Sequence, residues 1–113
     1  MRKPNVISNE MYGFDTSVED LAKKVDIFYV TQIPVDSFGD HLEEYAMAKK
    51  HFVISRKIMR SMKKNSILMH PLPRGGEILS EVDGDLRAVY YRQVSYGVKI
   101  RMAILCSVLG RVP

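Results

Sequence analysis

The sequence has no tryptophan and a single cysteine, Cys106, among its 113 residues. One cysteine cannot form a disulfide within the chain, and no cysteine or histidine cluster has the spacing of a metal site. Cys106 stands in an apolar run, so we expect a small buried hydrophobic residue rather than a reactive thiol. These absences exclude a disulfide-stabilised secreted domain and a zinc-binding module.

Long hydrophobic segments are also missing. No segment approaches the ~18 apolar residues of a membrane span. The basic start, Met1–Lys3, is not followed by the apolar stretch of a signal peptide. The sequence therefore predicts a protein of a reducing, cytoplasmic compartment that makes no contact with a membrane.

The charge balance is mildly basic, with a formal net charge of +4. The excess includes the pairs Lys49-Lys50 and Lys63-Lys64, and no aromatic residues are interleaved with them. Such a pattern is more typical of a solvated surface than of a nucleic-acid interface, so no nucleic-acid partner is predicted. With 46% hydrophobic and 27% charged residues, the chain is expected to be globular.

Short apolar runs alternate with helical patterns along the chain. Thr16 can cap a helix, with Glu19 three residues on as a capping box requires. Ile27–Val30 is a run of β-forming residues, typical of a strand buried on both faces. This order predicts an α/β fold: a partial doubly wound parallel sheet with flanking helices.

The remaining elements complete a β-α-β-α-β-α-β-α order. A short strand is predicted at Met11–Phe14, a helix over 36–50, a strand over 51–55, a helix from Ser55 to Lys64, a buried strand over 66–70 and a final helix that stops at Gly110.

The stretch MHPLPRGGEI, Met69–Ile78, follows a predicted strand and is called the hook below. Pro71 and Pro73 hold the carbonyls of Pro71 and Leu72 as rigid acceptors, which suit a ligand that donates from an amide or carbamoyl NH2. The alternative is a stiff turn that only redirects the chain. In parallel sheets ligands bind beyond the carboxyl ends of strands, so the hook and Thr31–Pro34 are expected at a functional rim.

Several motifs resemble the C-terminal end of aspartate carbamoyltransferase catalytic chains. The hook and the following EVDGDLRAVYYRQVSYGVKIRMAILCSVLG are similar to the family's H-P-[LM]-P-R-x-x-E-I, V-D, A-x-Y-[FY]-R-Q and R-M-A-[LI]-L, in order and at matching separation. Upstream, VDIFYVTQI resembles D-[IV]-L-Y-x-T-R-[IV]-Q. The resemblance runs from about Ser17 to the end, so the expected fold is the C-terminal domain of aspartate/ornithine carbamoyltransferases.

The resemblance implies transfer of a carbamoyl group from carbamoyl phosphate to the α-amino group of L-aspartate, an early step of pyrimidine synthesis. It implies a homotrimer with active sites shared between subunits, and no metal or organic cofactor. The carbonyls of Pro71 and Leu72 would accept from the carbamoyl NH2, and Pro73 would fix the loop.

Three further residues match family positions without supplying a reacting group. Glu77 and Arg101 are predicted to form structural ion pairs. Histidine is the side-chain type most often used as an acid or base near neutral pH, so His70 is a candidate in the abstract. The expectation from the family is instead a hydrogen-bonded histidine on the rim, and no catalytic residue is predicted in this chain.

One departure from the family concerns the aspartate contact. Gln32 stands where the family's T-R-[IV]-Q motif has an arginine that grips an aspartate carboxylate, and Pro34 replaces the glutamine. A neutral amide cannot form the charge-assisted, bidentate bond of a guanidinium. Losing such a contact is expected to cost about 2–5 kcal/mol of binding free energy.

The second departure is length. Residues 1–113 are interpreted as a partial aspartate-binding domain, with the carbamoyl-phosphate domain, its Ser-Thr-Arg-Thr-Arg cradle and its catalytic histidine absent from this chain. Three interpretations stay open: a fragment or partial gene model of an enzyme, a degenerate inactive relative, or a small module that binds a ligand or subunit. Missing sheet neighbours would leave an exposed edge, so self-association is expected.

Overall fold

The computed structural model describes residues 17–111, apart from the side chain of Ser37. The expected strand at Met11–Phe14 and the expected cap Thr16 lie outside this range. Within it the elements are α1 (Val18–Lys24), β1 (Ile27–Tyr29), a 3-10 helix (Val35–Phe38), α2 (Leu42–His51), α3 (Arg56–Ser61), β2 (Ile67–Met69), a second 3-10 helix (Ser80–Val82) and α4 (Tyr90–Val108).

The two strands form a small parallel sheet flanked by helices, which confirms the predicted α/β class. β1 pairs with β2 in the register Ile27 to Ile67 and Tyr29 to Met69. The predicted strand over 51–55 is reduced to one parallel bridge between Ile54 and Ile78. The residues on either side of Ile54 lie close to the end of α2 and the start of α3, so the bridge does not extend into a longer ladder.

Helix α1 begins one residue later than the capping box predicted. The N-cap is Ser17, whose hydroxyl accepts from the backbone N–H of Asp20 at 3.1 Å. Glu19 instead forms an ion pair with Lys57 of α3, with 2.9 Å between Oε2 and Nζ. The hydrogen bond from Lys57 lowers the pKa of Glu19. The acidic first turn and the basic Lys23-Lys24 at the end both suit the helix dipole.

The core lies between α1, α3, β2 and the start of α4. Its fully buried members are Ala22, Ile54, Met59, Met62, Leu68, Ile78, Val82 and Tyr90. Most are methionine or aliphatic, so this core depends on van der Waals packing and on the single large ring of Tyr90.

The expectation that β1 is buried on both faces is wrong. Ile27 is 59% exposed and Tyr29 is 50% exposed, while Phe28 between them packs against the core. Alternate residues of a strand point to opposite faces. Only one face of β1 is covered by the part of the chain that the structure describes.

The helix predicted over 36–50 is split in two. A 3-10 turn over Val35–Phe38 is followed by Gly39 with φ +53° and ψ −124°, a conformation that favours glycine. Helix α2 then starts at Leu42 and has no buried residue. The next helix, α3, ends at Ser61 rather than Lys64, and Glu81 Oε1 accepts from its first N–H at Arg56.

Helix α4 ends beside Gly110, as predicted, but Cys106 is exposed, so the expectation of a buried cysteine is wrong. Of its 19 residues only Tyr90 is buried. The apolar run was read as a sign of burial, yet the helix extends away from the core after its first turn. Within residues 17–111 no helix combines the length and the apolar character needed to cross a membrane.

Candidate functional site

The carboxyl ends of β1 and β2 lie side by side, as the sequence predicted. Because the strands are parallel and Tyr29 pairs with Met69, both segments that follow them leave at one edge of the sheet. The Nε2 atom of Gln32 lies 3.2 Å from the position that a Cβ would occupy at Gly75. Gly75 therefore allows the hook to approach Gln32 closely, and a larger side chain there would displace it.

The hook turns sharply at its centre. Leu72 has φ +52°, and the Leu72–Pro73 peptide bond is cis. The Leu72 side chain packs against the hydrophobic core, whereas Pro71 and Pro73 are exposed. The backbone at Pro71 and Leu72 is thus held from behind while its outer side stays open.

Behind the hook lies a buried polar network. His70 is fully buried, and its Nε2 lies 2.6 Å from Oε1 of Glu77. His70 Nδ1 accepts from the backbone N–H of Leu72 at 2.9 Å. The hydrogen-bonded role expected for His70 is confirmed, but its place is inside the hook and not on the rim. Glu77, expected in an ion pair, instead shares a buried hydrogen bond with His70.

A second cluster attaches the hook to α4. The Arg74 guanidinium donates two hydrogen bonds to the Asp83 carboxylate, one of them at 2.7 Å, and the Tyr90 hydroxyl donates to the same group. The hydrogen bond from Arg74 lowers the pKa of Asp83 to about 2. Burial, followed by the bond to Asp83, raises the pKa of Tyr90 to about 12. Sequence reasoning gave these three residues no role, although they stand within the quoted motifs.

A cavity of about 320 Å³ opens between the hook and α2. Its polar lining comprises Gln32, Asp36, Tyr45, Lys49 and Glu77. The Cε atom of Lys49 lies 3.8 Å from the Cβ position of Gly76, and its ammonium group is 5.9 Å from the centre of the Tyr45 ring. Lys49 was missed as a site residue, because it lies near the end of α2, outside all of the quoted motifs.

A larger cavity of about 770 Å³ lies on the other side of the hook, along α4. Pro71, Gln93, Arg92 and Arg101 contribute to its wall. The ion pair expected for Arg101 is absent among residues 17–111. Arg101 faces this open space, and its Nη1 lies 3.3 Å from the Cβ position of Gly97.

These features are suited to binding rather than to bond making. The hook offers fixed carbonyl acceptors, Gln32 an amide and Lys49 a positive charge. Among residues 17–111 no group of three histidine, cysteine, aspartate or glutamate side chains is placed to hold a metal ion. The chain is an α/β domain whose candidate site lies at the carboxyl edge of a parallel sheet, the edge where ligands bind in folds of this class.

The chain belongs to the aspartate/ornithine carbamoyltransferase family. Residues 3–108 match the family model described as "Aspartate/ornithine carbamoyltransferase, Asp/Orn binding domain". This match confirms the resemblance inferred from the hook and from the motifs around it.

Relatives and solved structures agree with the family assignment. The chain is 42% identical over 86 residues, 76% of its length, to aspartate carbamoyltransferase 2, chloroplastic, of Pisum sativum, covering 22% of that protein. It is 39% identical over 110 residues, 97% of its length, to the aspartate carbamoyltransferase catalytic subunit of Clostridium botulinum (strain Eklund 17B / Type B), covering 34% of it.

Among solved structures, aspartate transcarbamoylase from Trypanosoma cruzi in complex with carbamoyl phosphate is similar with a TM-score of 0.68 and 42% identity. The match covers 77% of this chain and 27% of that one. The same enzyme with N-(phosphonacetyl)-L-aspartic acid gives a TM-score of 0.69 at 39% identity. The chain thus spans about a third or less of the length of these relatives.

Proposed function

We propose that the chain is the C-terminal portion of an aspartate carbamoyltransferase, which transfers the carbamoyl group of carbamoyl phosphate to L-aspartate in pyrimidine biosynthesis. Residues 1–113 then form part of the aspartate-binding domain, and the carbamoyl-phosphate domain lies outside them. The observation that carries this proposal is the parallel pairing of β1 and β2, which brings Gln32 against the hook.

The hook is assigned to the carbamoyl group. The carbonyls of Pro71 and Leu72 accept hydrogen bonds from the carbamoyl NH2, and Pro73 restricts the backbone that follows. A preorganised pair of acceptors holds the carbamoyl carbon in place for attack by the amine of aspartate. The contribution of the hook to the reaction rate therefore comes from orienting the reactants and not from a reacting side chain. Solved complexes of the Trypanosoma cruzi enzyme with carbamoyl phosphate support this ligand class.

The cavity beside the hook is assigned to aspartate. Gln32 occupies the place of the family arginine, and its amide can donate only neutral hydrogen bonds to a carboxylate. Lys49 lines the same cavity and supplies one positive charge to it, but Asp36 and Glu77 each bring a negative charge to the same wall. The proposed site therefore binds aspartate more weakly than a site with an arginine at position 32.

The proposal also covers the oligomeric state of the complete enzyme and its location in the cell. We infer a homotrimer of the complete enzyme, without a metal or organic cofactor and without nucleic-acid or membrane partners. The cytoplasmic location expected from the sequence stays a prediction, and the relative from Pisum sativum is named as chloroplastic.

A chimeric enzyme tests the proposed function. This chain replaces the 110-residue segment of the Clostridium botulinum catalytic subunit that aligns with it. We expect the chimera to form N-carbamoyl-L-aspartate from carbamoyl phosphate and aspartate, with a higher KM for aspartate than the parent subunit. A folded chimera that forms no product at saturating aspartate would contradict the proposal.

The replacement at Gln32 favours one alternative, a degenerate relative that binds a ligand or a subunit without catalysis. Calorimetry on the isolated chain and the activity of the chimera together separate the two functions. Saturable binding of carbamoyl phosphate or of a catalytic chain, together with an inactive chimera, would support the binding module. Binding together with an active chimera would support the enzyme.

A further inference from the structure

We propose that His70 and Glu77 are positioning residues that fix the direction of the Leu72 carbonyl. Neither side chain is assigned a contact with a ligand. Both act through the backbone of the hook, from the buried side opposite its open face. The geometric part of this proposal stands on the structure, and its effect on ligand affinity rests on the proposed function.

His70 controls one end of the turn. Its Nδ1 accepts from the N–H of Leu72, so that nitrogen carries no proton. The proton of the neutral ring therefore lies on Nε2, which donates to Oε1 of Glu77 at 2.6 Å. Since the ring is fully buried, water cannot replace either bond, and the two contacts together select one tautomer and one ring orientation.

Glu77 controls the other end. Its two carboxylate oxygens accept from the backbone N–H of Gly75, at 3.0 Å and 2.8 Å. The His70–Glu77 pair thus holds one N–H on each side of Pro73.

The conformation of Leu72 explains why such support is required. A φ of +52° is rarely adopted by a residue with a Cβ and persists only where the surroundings impose it. The hydrogen bond to His70 fixes the N–H side of Leu72, and the packing of its side chain fixes the other. With these two constraints the Leu72 carbonyl has one direction, which is the preorganisation that an acceptor for a carbamoyl NH2 needs.

The network is also anchored outside the hook. The side-chain oxygen of Gln93 in α4 accepts from the backbone N–H of His70 at 3.1 Å, and its amide nitrogen donates to the Tyr29 hydroxyl at 3.2 Å. The position of His70 is therefore set by β1 and α4 together.

Two histidine variants separate the two halves of the network. His70→Asn keeps an acceptor near Nδ1 but loses the donor to Glu77, whereas His70→Gln keeps a donor near Nε2 and loses the acceptor for Leu72. By amide hydrogen exchange, we expect Leu72 to lose protection in His70→Gln and to keep most of it in His70→Asn. Glu77→Gln is expected to speed exchange at Gly75 more than at Leu72.

Carbamoyl phosphate titrated into the chimera described above, with and without each variant, supplies the functional readout. We expect the Kd to rise about tenfold in His70→Gln, which corresponds to the loss of one hydrogen bond that supports the acceptor. Met59→Ala is the control, because it lowers stability from the same core and Met59 shares no hydrogen bond with His70, Glu77 or the hook. In the control, the exchange rate of the Leu72 N–H should change only as much as global unfolding does. The Kd for carbamoyl phosphate should stay the same.

The two proposals fail in different ways. An imidazole 15N spectrum of the unaltered chain that shows a proton on Nδ1 would overturn the positioning role, and this measurement needs no variant to fold. Equal Leu72 protection in His70→Gln and the parent chain would also overturn it. If the parent chain shows the expected tautomer and exchange pattern but the chimera binds no carbamoyl phosphate, the positioning stands and the ligand assignment is lost.

Discussion

At the scale of single residues, Gln32 decides how strongly the aspartate pocket can hold a carboxylate. Its amide lies against Gly75 at the point where both strand ends meet. In the chimera, Gln32→Arg is expected to lower the KM for aspartate by about thirtyfold or more, because a charge-assisted bidentate contact replaces a neutral one. Initial rates at varied aspartate measure this change.

The matched control is Leu86→Arg, which adds the same charge at a side chain that is 94% exposed. It should leave the KM for aspartate unchanged. An equal fall of KM in both variants would assign the effect to net charge rather than to the pocket.

Asp83 makes a second prediction at the residue scale. Its pKa in the folded chain, about 2, lies below the ordinary 3.8, so its contribution to stability is complete above about pH 4 and is lost as pH falls through 2. Asp83→Asn removes that contribution. Thermal melts from pH 6 to pH 2 should show the parent chain and the variant far apart at neutral pH and converging in acid.

Asp40→Asn is the control for the acid series, because Asp40 forms no ion pair among residues 17–111. It should track the parent chain at every pH. A constant gap between the parent chain and Asp83→Asn down to pH 2 would show that the bond from Arg74 does not lower the pKa.

Some residues of the site were predictable and others were not. The rigid hook and Gln32 follow from local sequence, since proline fixes φ and strand ends are recognisable. The pairing of His70 with Glu77 spans only seven residues, yet no periodicity indicates it, because it depends on a positive φ at Leu72. Lys49 reaches the site from α2, and Arg74 meets Asp83 across the turn that precedes α4. These contacts depend on how separate segments pack, so no local sequence pattern indicates them.

At the scale of elements, the periodic pattern of apolar residues predicted whether a segment is a helix or a strand better than it predicted which side chains are buried. Helices α1 and α4 and strand β2 were confirmed, because their patterns are long or are bounded by strong signals. The expected two-sided burial of β1 and the expected burial of Cys106 in α4 were wrong for a common reason. An apolar run shows that a segment can be buried, whereas burial itself requires a neighbour that is distant in sequence or outside these residues.

The cap of α1 makes a prediction at this scale. Ser17→Ala removes the hydroxyl that accepts from Asp20 and should lower the free energy of unfolding by about 1 kcal/mol. Chemical denaturation of the chain measures the change. The cost is local, because the rest of α1 is anchored through Ala22 in the core.

Ser95→Ala in α4 is the matched control. Its hydroxyl donates to the Arg92 carbonyl within the helix, and removing such a bond from an exposed site changes stability by about 0.5 kcal/mol or less. A loss at Ser95 as large as that at Ser17 would show that serine removal, not capping, is being measured.

At the scale of the whole molecule, the exposed apolar surface of α4 dominates. Val98, Ile100, Met102, Ile104 and Leu105 are each between 56% and 60% exposed. From Met102 to its end α4 has no charged residue, and a helical segment that is apolar around most of its circumference is normally buried in a larger core. The isolated chain should therefore self-associate, as the sequence led us to expect, and sedimentation velocity should show species that grow with concentration.

Lysine substitutions on α4 test whether its exposed apolar surface causes the self-association. Ile104→Lys combined with Leu105→Lys should shift the distribution toward monomer. Leu86→Lys, at an exposed side chain outside α4, should not. A parent chain that is monodisperse and melts cooperatively as a monomer would contradict the prediction.

The parallel register of β1 and β2 carries one further consequence, for the order in which this chain folds. Ile27 pairs with Ile67, forty residues further along, so the sheet forms only after a long loop closes. Contacts of such sequence separation slow folding and come late, whereas α1 and α4 can form locally. Gln32 and the hook thus become neighbours in one of the last steps, and a ligand that bridges them would bind only chains that have completed it.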